Sequence, residues 1–547
     1  MRAFAALYAQ LDATTSNNAK LLAMQAYFRA APPDDAAWAV FFLAGGKPRQ
    51  LVPSKVLRAY GTQAAGISDW LFEESYHSVG DLAETLSLLL PPGTRTDDMG
   101  LAQWMTDRLL PLRGLPPDEQ MLRLATYFDM LGTRERFVLG KLVTGSLRVG
   151  VSKLSVTRAL ADVAQLDPKL IAQRLMGYTD VSARPDAAAY AALIDPAIAN
   201  DGERVDGRPY PFFLAHPLQL PVAEFAHQLG SPKEWLIEWK WDGIRAQLVR
   251  RGGRTWVWSR GEELITDRFP ELSRMGEQLP DGVVLDGEIL VWEADQVQSF
   301  ARLQQRLGRK TVGPKILAAQ PVVFLAYDLL EAEGTDCRSL PQHDRRARLA
   351  EMCRTVSDAV LRLSPEISGE TWDALATVRE EARDRGVEGM MLKSRAAAYG
   401  VGRTKNDGLW WKWKVDPFSI DAVLLYAQRG SGRRASLYSD YTFAVWDAPD
   451  GVSDRKLVPI AKAYSGLTDA EMRRVDAIVR RSTIEKFGPV RSVKPSQVFE
   501  LGFEGIARST RHKSGVALRF PRMLRWREDK TINEADTLGT LIGLFPS

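Results

Sequence analysis

Apolar positions in the first 205 residues recur at the three- and four-residue spacing of amphipathic helices. In "SNNAKLLAMQAYFRAA" they share one helical face, and Ser16 is suited to cap its N-terminus. "PPDEQMLRLATYFDMLG" repeats the pattern, with Gly132 marking its predicted end. In "GKLVTGSLRVGVSKLSVTRALADV" two helices meet at Gly150. We therefore predict an all-α N-terminal domain at residues 1–205.

The pattern changes after "NDGERVDGRPYPFFLAHPL", a Gly- and Pro-rich stretch that is predicted to be a linker. The β-type runs "VVLDGEILVWE", "VVFLAYDLL" and "GMMLKS" then alternate with helical segments, which predicts an α/β domain at residues 206–417. In residues 418–547, five β-type runs dominate: "SIDAVLLYAQ", "SDYTFAVWD", "KLVPIAKAYS", "QVFELGFEGIA" and "ALRFPRMLRW". One helix interrupts them and begins with a capping box of Thr468 and Glu471. This combination is typical of an OB-fold β-barrel.

Composition supports a globular, multidomain chain. Its 547 residues are 45% hydrophobic and 26% charged, with a net charge of +4. Two cysteines, Cys337 and Cys353, exclude a four-Cys zinc site and a disulfide framework. No apolar run approaches the roughly 18 residues of a membrane span, and "MRAFAALYAQLD" does not resemble a signal peptide. We therefore expect a cytoplasmic protein.

A lysine between two carboxylates occupies the first strand of the α/β region. In "EWLIEWKWDGIRAQ", Glu238, Lys240 and Asp242 fall on one strand face, with Trp239 and Trp241 on the other. One interpretation is a surface lysine in a salt bridge with Glu238 or Asp242, because K-x-D-G arises by chance in about one chain in ten of this length. The other is a nucleophile, because an amine kept unprotonated by burial or nearby positive charge can attack an electrophile.

Two further apolar strands carry carboxylates. Asp286 and Glu288 share a face in "VVLDGEILV", where ionised groups are costly unless they are paired or metal-bound. A strand-edge turn at Gly287 is the alternative. Glu388 begins the apolar run "GVEGMMLKS". A lone carboxylate there suits Mg²⁺, which takes few protein carboxylates plus phosphate oxygens.

Clusters of positive charge indicate an anionic ligand. Lys412 and Lys414 share a face in "LWWKWKVDP", where a phosphate between them would relieve their repulsion. Two further clusters could be solvated polar faces. The alternative is a phosphate-backbone site for the first of them and a nucleic-acid or polyphosphate surface for the second. One cluster is Lys141, Arg148 and Lys153 near Gly150; the other lies in "STRHKSGVALRFPRMLRWREDK" and includes Arg519, Arg522, Arg525, Arg527 and Lys530.

Taken in order, these segments resemble the motifs of the ATP-dependent DNA ligases, within the covalent nucleotidyltransferase superfamily. "KWDGIR" resembles the nucleophile motif, and "SRGEELIT", "LDGEI", "AYDLL", "EGMMLK", "WKWK" and "RFPRMLRWREDK" follow in the family's order over residues 218–535. The N-terminal helices and "LRVG" resemble the DNA-binding domain of larger bacterial members. The resemblance implies sealing of 5′-phosphate/3′-hydroxyl nicks in duplex DNA with ATP and Mg²⁺, in repair, recombination or replication.

The resemblance also implies residue roles. Lys240 would form lysyl-AMP, Glu238 would select adenine, and Tyr327 would stack on the base. Glu288 would contact ribose or metal, and Glu388 would bind Mg²⁺. The remaining cations divide into AMP and phosphate contacts (Arg245, Arg260, Lys412, Lys414), pyrophosphate contacts (Arg519, Arg525, Lys530) and DNA contacts (Lys141, Arg148, Lys153). The family pattern usually has a smaller residue where "WWKWK" has its extra Trp.

Other functions share parts of this pattern. An RNA ligase or capping-type guanylyltransferase would use the same lysine chemistry, but the helical N-terminal region and "RFPR" argue against it. A non-catalytic DNA clamp would not need the lysine and paired carboxylates. NAD-dependent ligases carry a four-Cys zinc module that two cysteines cannot supply. Basic segments at both ends predict that the three domains encircle duplex DNA. The resemblance further implies a monomer that acts on nicked DNA at the nucleoid.

Overall fold

The computed structural model describes residues 1–95, 97–180, 183–196, 207–307, 309, 312–356, 358–403, 409–430 and 436–545. The chain divides into two compact units. One comprises residues 1–49, 99–108 and 147–415, and the other residues 50–98, 109–146 and 416–547. The predicted linker falls partly on residues 197–206, which lie outside the described residues.

Helices fill the first 196 residues, as the periodicity predicted. They are α1 (Arg2–Ala13), α2 (Asn17–Ala30), α3 (Pro33–Leu43), α4 (Ser54–Ala65), α5 (Asp69–Val79), α6 (Leu82–Leu89), α7 (Leu101–Gln103), which continues as a π-helix (Trp104–Leu109), α8 (Pro117–Asp129), α9 (Thr133–Thr144), α10 (Lys153–Ala164), α11 (Pro168–Arg174) and α12 (Ala187–Ile194). Helices α4–α6, α8 and α9 belong to the second compact unit.

Two of the three predicted helix-end features differ in detail. Ser16 caps α2 as predicted, because its side chain accepts the Ala19 N–H at 3.3 Å. Gly132 does not end α8, which stops at Asp129; it occupies the N-cap position of α9 in an extended conformation. Gly150 lies within a connection between α9 and α10, and the first of these helices is ended by a left-handed Gly145.

The described residues of the α/β region form two sheets. Their strands are β1 (His216–Pro217), β2 (Trp235–Trp239), β3 (Ile244–Arg251), β4 (Arg254–Ser259), β5 (Val283–Glu293), β6 (Gln296–Val297), β7 (Val322–Ala332), β8 (Thr335–Asp336), β9 (Leu361–Leu363), β10 (Gly389–Ser394) and β11 (Trp410–Lys414). One sheet has the order β4-β3-β5-β7-β8, with β6 beside β5 and β9 beside β7; the other has the order β1-β11-β10-β2. The helices are α13 (Phe225–Leu229), α14 (Pro270–Gly276), α15 (Phe300–Leu307), α16 (Pro314–Ala319), α17 (Gln342–Thr355) and α18 (Trp372–Glu380).

The central strands β5 and β7 are buried almost throughout. Leu285 and Phe324 belong to the cluster that α14 and α17 cover on one face, while Val284 and Tyr327 belong to a cluster on the other. A carboxylate in such a sheet needs a cationic partner, since burying an unpaired charge is costly. Asp328 meets this requirement through Arg345 at 2.8 Å.

Strands dominate the C-terminal region, which is sheet-rich as predicted. They are β12 (Phe418–Arg429), β13 (Tyr438–Trp446), β14 (Leu457–Ala463), β15 (Thr483–Phe487), β16 (Val490–Val493), β17 (Val498–Phe503), β18 (Gly505–Arg508), β19 (Val516–Arg519) and β20 (Arg522–Trp526), with helices α19 (Asp469–Ser482) and α20 (Leu538–Ile542). The main path is β14-β13-β12-β16-β15, and β17 pairs with β12 and β20. Among the described residues, these pairings form an open sheet.

For the C-terminal region, the sequence predicted five strands where the described residues form nine. Strands β15 and β16 lie outside every predicted run, and the other two additional strands arise where a predicted run divides. The run "ALRFPRMLRW" divides into β19 and β20 because Phe520 has φ +52° and Pro521 cannot donate a ladder hydrogen bond. The run "QVFELGFEGIA" divides at Glu504 into β17 and β18. The capping box of Thr468 and Glu471 at the start of α19 is confirmed.

Within the described ranges, the structure contains no helix with both the length and the apolar character needed to cross a membrane.

Candidate active site

Lys240 extends the pairing of β2 by one residue. Its N–H donates to the Gly389 carbonyl at 2.7 Å, and its carbonyl accepts the Glu388 N–H at 2.8 Å. Its Nζ lies 2.5 Å from Oε2 of Glu388, and the side chain is 22% exposed. The salt-bridge alternative named Glu238 or Asp242 as the partner; the ion pair is formed instead with Glu388, across the sheet.

The strand registers gather the predicted cations on one face. Met391 lies opposite both Glu238 and Lys412, and Gly389 lies opposite Lys414. Because side chains alternate along each strand, one face carries Glu238, Lys240, Lys393, Trp410, Lys412 and Lys414. Trp239 and Trp413 pack into the cluster on the other face, as the alternation predicted.

Gly389 permits the close approach of β10 to β11, the strand that carries Lys414. It has φ +128°, and a Cβ added there would lie 2.4 Å from the Trp413 carbonyl oxygen and 2.7 Å from the Lys414 Cα. Any larger residue would therefore push β10 and β11 apart. Gly243 has a similar role beside β5, where a Cβ would lie 2.4 Å from the Ile289 carbonyl oxygen.

Glu388 lies between two ammonium groups. Lys414 Nζ approaches the same Oε2 atom at 3.2 Å that Lys240 contacts. Burial opposes ionisation of Glu388, but Lys240 and Lys414 outweigh it and lower the pKa of the carboxyl. Burial also lowers the pKa of the Lys412 ammonium, aided by Lys414, Arg403 and Lys240. The face therefore combines an ionised carboxylate with crowded cations, between which a phosphate group would relieve the repulsion.

Glu288 and Asp286 lie near each other on β5 but have different environments. Asp286 is fully buried and is held by Arg245, whose Nη2 lies 2.7 Å from Oδ2, and by the Tyr399 hydroxyl, which donates at 2.7 Å. Burial raises the pKa of Glu288 to about 8, although Lys240 and Arg245 oppose this shift. Asp286 is therefore a paired structural carboxylate, whereas burial opposes the charge of Glu288 more strongly than Lys240 and Arg245 favour it.

Replacing Glu288 with glutamine is expected to stabilise the protein in a pH-dependent way. Between pH 4.5, the ordinary value, and about 8, the folded protein retains a Glu288 proton that the unfolded chain releases. The free energy of unfolding of the wild type therefore falls as pH rises through this window. Because the side chain is only partly buried, we expect the variant to gain about 1–3 kcal/mol at pH 8.

Urea unfolding of wild type and Glu288→Gln at pH 5, 6.5 and 8 measures this effect. Glu293→Gln, at the exposed end of the same strand, is the matched control. An equal gain in the free energy of unfolding at all three pH values would contradict the inference that folded Glu288 retains a proton.

A buried group of aromatic and charged side chains adjoins the lysine face. Tyr327 is 9% exposed, and the Lys393 ammonium lies 4.1 Å from its ring centroid and 4.5 Å from that of Trp410. Lys393 pairs with Glu238 at 2.6 Å, and Arg346 reaches Glu238 at 3.2 Å. Glu238, the predicted adenine selector, is thus 1% exposed and paired with two cations. Trp410, the first Trp of "WWKWK", is a core residue here.

The two predicted arginine contacts differ in exposure. Arg245 donates to Asp286, to the Phe213 carbonyl at 2.6 Å and to the Tyr399 hydroxyl at 3.2 Å, so its guanidinium is engaged within the protein. Arg260 is exposed, and its N–H donates to the Arg245 carbonyl at 2.9 Å. Arg260 therefore remains available to a ligand in a way that Arg245 does not.

The predicted N-terminal DNA contacts are only partly surface cations. Lys141 forms an ion pair with Asp81. Lys153 is paired with Glu262 and donates to the Leu175 carbonyl at 3.2 Å, and burial lowers its pKa. The alternative of a solvated polar face therefore describes Arg148, which is exposed, but not the two paired lysines. The sequence could not show the two carboxylates, which come from distant segments.

The C-terminal cations also divide into engaged and exposed groups. Lys530 lies 2.6 Å from Asp421 Oδ2, and Arg527 pairs with Asp421 at 2.9 Å and Asp529 at 2.7 Å. Arg525 is 62% exposed and pairs with Glu500 at 3.2 Å. Arg519 on β19 has its guanidinium carbon 5.2 Å from the centroid of the Phe520 ring.

Sequence reasoning missed three residues that shape the site: Lys393, Arg346 and Tyr399. Lys393 closes the run "EGMMLK", and its buried position was readable from the apolar residues before it. Arg346 and Tyr399 reach the site from α17 and from the segment after β10, so no local pattern marks them.

The carboxylates fit a magnesium ion that brings most of its ligands with it. Among the described residues, no group of three or more His, Cys, Asp or Glu side chains could form a protein cage. Glu388 offers an oxygen of an ionised carboxylate, because its pKa is lowered. The raised pKa of Glu288 would fall if a cation were bound beside it, so its carboxylate could offer a second oxygen. Mg²⁺ commonly binds one or two carboxylates together with water and substrate phosphates. When bound, it would neutralise phosphate charge.

The Lys240–Glu388–Lys414 cluster on an α/β sheet is the arrangement expected of a nucleotidyltransferase domain. Profile comparison assigns the segments accordingly. "DNA ligase N terminus" matches residues 1–161, "ATP dependent DNA ligase domain" matches residues 213–414, and "ATP dependent DNA ligase C terminal region" matches residues 434–530.

Relatives of similar length confirm the assignment. A probable DNA ligase of Koribacter versatilis is 32% identical over 96% of this chain and 93% of its own length. A probable DNA ligase of Streptomyces avermitilis is 33% identical over 75% of this chain and 78% of its own. The solved structure called "Pmar-Lig_Pre." shares the fold, with a TM-score of 0.62 at 15% identity over 96% of this chain and 99% of that one. The chain belongs to the family of ATP-dependent DNA ligases, which seal nicks through an adenylate intermediate.

Proposed function

We propose that Lys240 is the residue adenylated in this ligase. The observation that carries the proposal is the Lys240–Glu388–Lys414 contact, which places an amine beside cations on one sheet face. Nζ attacks the α-phosphate of ATP, an N–P bond forms, and the bond to the β-phosphate oxygen breaks to release pyrophosphate. Nζ loses a proton in this step. Lys412 and Lys414 offset the charge that builds on the α-phosphate.

The later steps transfer the AMP to DNA. The 5′-phosphate at the nick displaces Lys240 from AMP, giving adenylated DNA, and the 3′-hydroxyl then displaces AMP to form the phosphodiester. We assign Tyr327 and Glu238 to the base, Arg260 to the nick phosphate, and Arg519, Arg525 and Lys530 to pyrophosphate. Arg245 acts through Asp286, positioning β3 against β5 rather than contacting ligand.

We further propose a three-domain monomer that encircles nicked duplex DNA. Its divisions are a helical DNA-binding domain at 1–205, an adenylation domain at 206–417 and an OB-fold domain at 418–547, and the three profile matches fall within them. Arg148 supports a DNA contact in the first domain because it is exposed. The proposed setting is the cytoplasm at the nucleoid, in repair, recombination or replication.

Sealing of a 5′-phosphorylated nick with ATP and Mg²⁺ tests the function directly. We expect ligation of nicked DNA with ATP, little with GTP, and little on nicked RNA. A preference for GTP or nicked RNA would favour an RNA ligase or capping-type enzyme instead. Tight nick binding with no adenylate at any ATP concentration would indicate a clamp.

Affinity for the nick is expected to fall steeply with salt. A protein that contacts 6–10 phosphates loses roughly 10³–10⁵ in affinity between 50 and 200 mM salt, because bound counterions are released. Fluorescence anisotropy of a nicked duplex over this range measures the slope, with an intact duplex as control. Footprinting should show protection around the whole helix; protection of one face only would contradict encirclement.

A further inference from the structure

A cavity of about 430 Å³ lies in the C-terminal region, between α19 and the segment that follows β20. Its charged and aromatic lining consists of Arg474, Arg481, Trp526, Arg527, Glu528 and Lys530. Four of these six side chains are cationic and one is anionic. The cavity therefore favours an anion.

The cations differ in how firmly they are held. Arg527 is 14% exposed and paired with two carboxylates, and Lys530 is paired with Asp421. Both side chains are therefore held in the wall of the cavity by their carboxylate partners. Arg474 pairs with Glu528 at 2.8 Å, but these side chains are 57% and 53% exposed, and such pairs contribute little. Arg481 is exposed, and its Nε donates to the Ala477 carbonyl at 3.3 Å. Within the described part of the chain, it has no carboxylate partner.

The aromatic residue in the wall does not offer a stacking surface. Trp526 is 8% exposed; its ring stacks on Phe499 with centroids 5.6 Å apart, and the Arg474 guanidinium lies 4.5 Å from its centroid. A nucleobase therefore has no free ring to stack on here. A compact anion that accepts hydrogen bonds from guanidinium groups is the better fit.

We propose that this cavity binds a phosphate group through Arg481 and Arg474, and that the Glu528 carboxylate occupies its place when no phosphate is present. Two sources share this chemistry: a backbone phosphate of DNA, and free pyrophosphate. The pyrophosphate arm of the test rests on the proposed function, and the DNA arm does not. A bound phosphate and the Glu528 carboxylate compete for Arg474. Removing the Arg481 guanidinium should therefore weaken phosphate binding, and removing the Glu528 charge should strengthen it.

Arg481→Ala and Glu528→Gln test the site in the full-length protein, with Arg473→Ala as control. Arg473 is an exposed arginine on the same helix that does not line the cavity. The first measurement is the affinity of each protein for a nicked duplex at several salt concentrations. The second is the half-reversal concentration, the pyrophosphate concentration at which half of the preformed enzyme–AMP is converted back to free enzyme and ATP. Thermal melting verifies folding.

If DNA is the source, Arg481→Ala should weaken nick binding about three- to tenfold and reduce the salt slope by about 1. If pyrophosphate is the source, Arg481→Ala should raise the half-reversal concentration by about the same factor. Glu528→Gln should shift the same measurement in the opposite direction, which a merely structural role would not produce. Wild-type-like behaviour of Arg481→Ala in both measurements overturns the proposal. Wild-type adenylation in the same preparations keeps that failure separate from failure of the proposed function.

Discussion

Lys240→Ala is expected to abolish transfer of label from α-labelled ATP to the protein. The alanine side chain has no nucleophile, and the neighbouring Lys412 and Lys414 project from another strand whose backbone position is fixed by pairing with β10. Loss of a nucleophile typically costs roughly 10⁴-fold or more in rate. The measurement is labelled protein on a denaturing gel, with mass spectrometry to locate AMP on the Lys240 peptide. Nick sealing should be lost in parallel.

Lys233→Ala provides the matched control for this loss. Lys233 is a 71% exposed lysine in the same compact unit, and it is paired with the exposed Glu370. It should label at the wild-type rate. Wild-type labelling of Lys240→Ala would show that another group carries the AMP. Absence of the adduct from folded wild-type protein would contradict the lysyl-AMP assignment itself.

Local pattern was enough to predict the elements of the site but not their partners. Alternation along β2 and β11 correctly predicted that Lys240 shares a face with Glu238, and Lys412 with Lys414. That these two strands flank β10 depends on non-local pairing, which carries no signature in any one segment. Glu388 was accordingly predicted as a carboxylate at a strand start, but not as the ion-pair partner of Lys240.

Charge was harder to predict than secondary structure, because a basic residue in sequence gives no information about which carboxylate meets it. Lys153 is paired with Glu262, 109 positions away. Lys530 is similarly paired with Asp421. In the C-terminal region, one predicted strand is divided into two because Phe520 has a positive φ. Few non-glycine residues adopt this backbone conformation, so nothing in the sequence indicated it.

Glu238→Ala is expected to destabilise the protein by about 3–5 kcal/mol, because it leaves a buried cation without its partner. Lys393 is 1% exposed and Glu238 lies 2.6 Å from its Nζ. Burial already lowers the pKa of Lys393, and Glu238 opposes that shift. In the variant the folded protein therefore binds this proton less tightly than the unfolded chain does, so its free energy of unfolding should rise with pH and the damage should be largest at pH 6.

A double variant distinguishes the ion pair from loss of packing. Glu238→Ala with Lys393→Met removes both charges and retains an apolar chain of similar length, so it should recover most of the stability lost in Glu238→Ala. Urea unfolding at pH 6 and pH 9 measures all three proteins, and Glu366→Ala, an exposed carboxylate near the same strand, is the control. If the double variant recovers stability but still fails to discriminate ATP from GTP, Glu238 has the selecting role in addition to its structural one. Equal destabilisation of the single and double variants would contradict the assigned role of the Lys393 charge, and would point instead to packing or to the Arg346 contact at 3.2 Å.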